Sequence, residues 1–164
     1  DFWKATDAPS WVGGLYDQKI RVPVKGLKPG DQRHEKVLKH ELVHALIHVK
    51  CGGACPRWLN EGLAQYYEGV SINERIRSLR RTSPTWRQDL LRGFGQAETP
   101  ELFYTRSLSV TKYLIEKEGK HKVMDLLEAL VRTRDERKAF RQAFRRDPEQ
   151  IFENWHRWAE RQYR

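Results

Sequence analysis

Hydrophobic and polar positions divide the chain into one short alternating stretch and a long series of stretches with helical spacing. Ile20, Val22 and Val24 alternate with Lys19, Arg21 and Pro23, the period-two signature of a strand. Asp17-Gln18 just ahead of it reads as a turn, which predicts a hairpin, and Pro23 confines that strand to a sheet edge or a strand end. After the Pro29-Gly30 break, Asp31 is a plausible N-cap for a helix to about Val49. Val37, Leu38, Leu42, Ala45, Leu46 and Val49 recur at three and four and predict its core face. Gly52 and Gly53 end it. Pro56 suits the first position of a second helix, which Glu68-Gly69 stops. Ile72 to Arg81 and Trp86 to Phe94 predict two short helices. Val123, Leu126, Leu127 and Leu130 mark a helix over Lys120 to Arg132, and Asp135 could cap the next run, which holds Ala139, Phe140 and Phe144. Asp147-Pro148-Glu149 is a helix start, and Ile151, Phe152, Trp155 and Trp158 beyond it form an apolar stripe read as core. The expected fold is α+β, mostly helical, with a small N-terminal β element. One domain is expected over 1–164: a hairpin or edge strand in 1–30, two helices in 31–69 and a helical C-terminal half in 70–164.

Composition changes this picture little. The chain is 38% hydrophobic and 32% charged, ordinary for a soluble helical domain. No apolar run approaches the ~20 residues of a membrane span, and the start of the chain has no signal-peptide layout. It opens at Asp1 rather than Met, as expected of a processed or shortened form. Net charge is +9, which favours anionic partners such as nucleic acid, acidic lipid or acidic peptides. Arg75, Arg77, Arg80 and Arg81 form one cluster, and Arg141, Arg145 and Arg146 another; neither has the aromatic interleaving of a single-strand binding groove. Solvated helix faces are the plainer reading of both. Cys51 and Cys55 allow free thiols, a short-loop disulfide or half of a second metal site. The two glycines between them make a bridge feasible, and a bridge is preferred, with an oxidising, extracytoplasmic setting as its consequence.

The candidate chemistry lies at His40-Glu41-Leu42-Val43-His44, an H-E-x-x-H pattern inside the first helix. Residues four apart sit one above the other on a helix face, so two imidazoles can share one Zn²⁺. Glu41, next along, can take a proton from a water that the metal activates. His48 continues the column but stands about 12 Å from His40 along the axis, too far for the same ion; His34 reads as surface. Catalytic zinc needs a third protein ligand and an open fourth position. Glu61, in Trp58-Leu59-Asn60-Glu61-Gly62-Leu63-Ala64, follows His44 with sixteen residues between, a gap that fits a helix end, a turn and the first turn of a second helix. Gly62 beside it lets another backbone come close. Gln65, one turn on, could steady a metal-bound histidine.

H-E-x-x-H followed by W-L-N-E-G-L-A resembles the gluzincin metallopeptidases. It looks most like the bacterial peptidase MA-like domains and, more distantly, the aminopeptidase-N family. The resemblance implies Zn²⁺ held by His40, His44 and Glu61, with Glu41 as general base in hydrolysis of a peptide or protein substrate. It implies that Asn60 lines the substrate path, against the plainer reading of a surface amide. In gluzincins a strand beside the active-site helix pairs with the extended substrate backbone. Ile20 and Val22 are the candidates here, unless the hairpin is ordinary core. Tyr104 resembles the tyrosine that precedes a buried helix and donates to the developing oxyanion, although Thr105-Arg106-Ser107 follows it where aminopeptidases end the motif in glycine. A core tyrosine is the alternative. The nearest equivalent of the aminopeptidase Gly-Ala-Met-Glu-Asn motif, Gly13-Gly14-Leu15-Tyr16-Asp17, lacks the glutamate, so an endopeptidase is preferred. A basic nucleic-acid-associated module and a zinc-binding scaffold with little activity are the competing functions.

Overall fold

A computed structural model of the chain describes residues 15–16, 20–21, 32–94 and 99–164. They are mostly helical. In order they form β1 (Leu15–Tyr16), β2 (Ile20–Arg21), α1 (Gln32–Cys51), α2 (Arg57–Glu68), α3 (Ile72–Thr82), α4 (Trp86–Leu91) and α5 (Pro100–Tyr113). A π-helical segment (Leu114–Gly119), α6 (Lys120–Thr133), α7 (Glu136–Phe144) and α8 (Pro148–Gln162) follow. β1 and β2 pair antiparallel, Leu15 opposite Arg21 and Tyr16 opposite Ile20, and both lie against α1. Val22, Pro23, Val24 and the expected Asp31 cap lie outside the described residues.

Local chemistry explains the helix starts. The Ser71 hydroxyl accepts from the Glu74 N–H at 3.4 Å to open α3, and the Asp135 carboxylate accepts from the Lys138 N–H at 2.9 Å to open α7. At α8 the Asp147 N–H donates to the Gln150 side chain at 3.0 Å. Each such cap is worth ~1 kcal/mol. Thr99 does the same for α5, accepting from the Leu102 N–H at 3.3 Å, with Pro100 in the first helical position. Tyr104 therefore lies inside α5, not ahead of a helix.

Helix α5 is the centre of the core, and every residue from Thr105 to Thr111 is buried. Helices α2, α3, α4 and α8 pack against it, α7 packs on α6, and α6 also meets α1. Trp155 of α8 donates its indole N–H to the Ser109 hydroxyl at 3.0 Å, and Ser109 also pairs with the Tyr163 hydroxyl at 2.9 Å. Arg106, 1% exposed, reaches from α5 to the Leu90 carbonyl at 2.8 Å and to the Asp89 carbonyl, which ties α4 in place. Trp58 of α2 stacks on Phe94 at 5.5 Å between centroids and meets Phe152 of α8 edge-on at 5.7 Å.

Two expectations are corrected. The predicted core face of α1 is largely exposed: Leu38 and Leu42 are about half open, Leu46 is 59% and Val49 81% exposed. Helices α2 and α6 instead cover the side carrying Glu41, Ile47 and Cys51, all buried. The helix has one apolar stripe and one reactive stripe, and α2 and α6 pack on the reactive one. Cys51 and Cys55 are free thiols, not a bridge. Cys51 is wholly buried and its thiol faces the Leu127 carbonyl of α6 at 3.8 Å.

Helices α2 and α5 approach closely at Gly62. A Cβ on Gly62 would stand 2.1 Å from the Thr111 hydroxyl and 2.4 Å from the Ser107 carbonyl oxygen. The second atom is backbone, so a rotamer change cannot relieve the clash. Gly62→Ala is expected to lower stability by ~1–3 kcal/mol through overpacking, read as a lower urea midpoint at unchanged m-value. An unchanged midpoint would mean that the two helices do not approach this closely.

Candidate metal centre

Helix α1 brings His40 and His44 to one face, their rings 4.7 Å apart between centroids and nearly perpendicular. A tight turn follows, with Gly52 and Gly53 at φ of 51° and 77° and the Ala54 N–H on the Cys51 carbonyl at 2.9 Å. Left-handed backbone there suits glycine. The turn sends α2 back along α1, so Glu61 faces both imidazoles. Its Oε2 lies 3.8 Å from Nε2 of His40 and 3.8 Å from Nε2 of His44. One ligand atom from each of the three residues lies within 4.8 Å of the others.

Two imidazoles and a carboxylate are a zinc-type donor set. Bonds of 2.0–2.1 Å in a tetrahedron put ligand atoms about 3.4 Å apart, close to the observed 3.8 Å. The outer ring nitrogens are already held. Nδ1 of His40 donates to Glu68 Oε2 at 2.8 Å, and Nδ1 of His44 donates to Asn60 Oδ1 at 3.0 Å. Both bonds turn Nε2 toward Glu61 and fix which nitrogen is available to a metal.

The electrostatics agree with this fit. Burial alone would push His40 down, but the carboxylates of Glu61 and Glu68 reverse that and raise its pKa to about 9. The pocket thus favours positive charge, whether a proton or a metal ion. Glu41 is only 5% exposed. Burial pushes its carboxyl up, His40 and His44 draw it back down, and Glu61 and Glu68 add to the rise.

The other sequence-predicted residues are placed as follows. Tyr104 is half-buried on α5, its ring edge-on to Phe103 at 5.6 Å. Burial and the Glu61 carboxylate raise its phenol, while Arg57 and Arg75 pull the other way. Asn60, expected along the substrate path, turns its amide oxygen onto His44. Ile20 sits in β2 and is 39% exposed. Gln65 does not reach a histidine. Its amide nitrogen donates to the Tyr104 carbonyl at 2.9 Å and to the Glu61 carbonyl at 3.3 Å, so it joins α2 to α5. Glu68 was missed as a partner of His40, although its position seven residues after Glu61 puts it two turns along the same face.

A family model described as the peptidase MA superfamily matches residues 6–161. No curated protein and no solved structure matches the chain.

Removing the carboxylate behind His40 should weaken metal binding. Glu68→Ala is expected to lower Zn²⁺ affinity by about 10–100-fold, measured by competition with a chromophoric chelator; parent affinity in the variant would remove Glu68 from the site. A pH effect follows for metal-free protein. His40 has a pKa of 6.5 unfolded and about 9 folded, so protonation favours the folded state. The stabilisation is full below 6.5 and is lost as pH rises through about 9. Urea titrations of chelator-treated protein across that window should show falling stability, and Glu68→Gln should shrink the fall.

Proposed function

The chain belongs to the peptidase MA superfamily, and from that premise we propose that it is a zinc-dependent endopeptidase whose ion is held by His40, His44 and Glu61. The observation that carries this reading is the convergence of those three side chains, each imidazole oriented from behind by an acceptor on α2. When bound, Zn²⁺ supplies the Lewis acidity that lowers the pKa of water to about 7 and polarises a substrate carbonyl.

The remaining chemistry belongs to the chain. Glu41 accepts the proton of the attacking water and delivers it to the leaving amine, and its raised pKa suits both transfers. Tyr104 offers its hydroxyl to the oxygen on which negative charge develops. A phenol held protonated by burial and by the Glu61 carboxylate is suited to donate there. Glu68 and Asn60 keep the imidazoles aimed. Ile20, in β2, offers a strand edge to an extended peptide.

A nucleic-acid-binding module is less well supported. Arg141 pairs with Asp147, Arg137 with Asp147 and Glu149, and Arg146 with Glu118. Arg80 and Arg87 both donate to the Tyr163 carbonyl. Many of the arginines behind the +9 charge thus bind the protein's own acceptors.

Glu41→Gln separates metal binding from catalysis. The variant is expected to keep its zinc, measured by elemental analysis, while hydrolysis of an internally quenched peptide library falls by ~10²–10⁴. Cleavage at the parent rate would show that Glu41 is not the base.

A further inference from the structure

Helix α2 carries Arg57, Glu61 and Gln65 at successive turns, so the three share one stripe with the metal ligand in the middle. The outer two both reach Tyr104 of α5. Gln65 is 1% exposed, and its amide nitrogen donates to the Tyr104 carbonyl at 2.9 Å and to the Glu61 carbonyl at 3.3 Å. One nitrogen thus joins the backbone of the metal ligand to the backbone of the tyrosine. Arg57 meets the other end of the same tyrosine. Its guanidinium carbon lies 4.6 Å from the centroid of the Phe103 ring, Phe103 is edge-on to Tyr104 at 5.6 Å, and the guanidinium donates to the Tyr104 hydroxyl. Arginine can only donate, so the hydroxyl accepts there and its own proton is left for another acceptor.

Packing alone does not explain Gln65. Only its NH₂ group can meet two carbonyls, which fixes the orientation of the amide. Among the described residues its buried amide oxygen has no partner. An apolar side chain of the same length would leave no such atom unmet. Nor does α2 need the glutamine in order to approach α5, because Gly62 already lets the backbones come together. What an apolar residue could not supply is the link from Glu61 to Tyr104.

We propose that Gln65 is a positioning residue for Tyr104, fixing the tyrosine relative to Glu61 so that its hydroxyl stands where negative charge develops on the substrate oxygen. This rests on the peptidase reading above, in which Tyr104 donates to that oxygen, and adds the residue that keeps it there. A bond from α2 that ends on the backbone of Tyr104 itself restrains that turn of α5 against sliding or rotating past the metal ligand. A donor misplaced by about 1 Å loses much of its effect, and the loss falls on the transition state rather than on substrate binding. Gln65 bonds neither imidazole, so its removal leaves the metal ligands in place.

The test uses zinc-loaded protein and Gln65→Met, a change of similar volume that removes the donor. Gln65→Leu is run in parallel, so the result does not depend on one replacement folding. Zn²⁺ affinity and KM for a quenched peptide are expected to stay within about twofold of the parent, while kcat falls about tenfold. Tyr104→Phe should lower kcat by about 10²-fold. Adding Gln65→Met to Tyr104→Phe should then lower kcat by less than about twofold, because two residues that act through one hydroxyl are not additive. Parent kcat in both Gln65 variants, or the same tenfold loss with and without the Tyr104 hydroxyl, would overturn the proposal. So would a fall in Zn²⁺ affinity that accounts for the loss, since Gln65 would then act through the metal. Tyr104→Phe at the parent rate would leave Gln65 nothing to position and would likewise overturn it. A second readout needs no turnover. The protein is made with fluorotyrosine, and the Tyr104 resonance is identified by its absence in Tyr104→Phe. Gln65→Met should shift or broaden that resonance. If the parent cleaves no peptide, the peptidase reading ends; a moved resonance then keeps the hold of Gln65 on Tyr104, and an unmoved one ends that too.

Discussion

The close approach of α2 to α5 at Gly62 is the constraint on which the site depends. Glu61 and Gly62 are neighbours, so they point about 100° apart around one helix. The glycine faces Ser107 and Thr111 on the buried side, and the glutamate faces the imidazoles on the other. Any residue with a Cβ at 62 pushes α2 off α5 and pushes Glu61 with it. Gln65 reinforces the contact one turn later, bonding the Tyr104 carbonyl from the same side. The metal helix is thus positioned from behind by α2, and α2 from behind by α5. The polar, small-residue face of α5 is what allows the backbones to come together.

Antiparallel pairing of α1 and α2 then distributes the polar groups in a definite order. Glu61 meets both Nε2 atoms at the centre. Asn60 reaches the later histidine and Glu68 the earlier one. Moving forward on α1 means moving back on α2, as antiparallel helices joined by a tight loop require. The two orienting groups differ in kind. Glu68 is charged and raises the basicity of His40, whereas Asn60 is neutral and only aims His44.

Much of this was legible in the sequence, and the misses have physical causes. The ligand triad was readable because both spacings are short-range: four residues along one helix, and sixteen across one turn. The starts of α7 and α8 were readable because Asp135, Asp147 and Pro148 announce them. Thr99-Pro100-Glu101 carries the same signature for α5, whose first turn ends just before Tyr104. The core face of α1 was misread because apolar periodicity reports which residues prefer to be covered, not which neighbour covers them. The helix carries Leu38, Leu42 and Leu46 on one side and Glu41, His44 and Ile47 on another, and only contacts decide between the two. The role of Glu68 is a tertiary fact. Its helical phase relative to Glu61 was available, but its distance to His40 depends on how closely the helices approach.

The arginines give the same lesson from the other direction. A net charge of +9 invites a search for an anionic partner, and clusters along the sequence are the obvious place to look. In the fold those clusters separate. Arg137, Arg141 and Arg146 face carboxylates, Arg80 and Arg87 hold the last turn of the chain, and Arg106 caps α4 from inside the core. Charge that is locally compensated contributes little field at a distance. What bears on function is the uncompensated remainder and where it lies. Arg57 lies one turn ahead of Glu61 on α2 and stacks on Phe103 of α5 at 4.6 Å, so the packing of α2 on α5 sets where that charge lies as well as where Glu61 points.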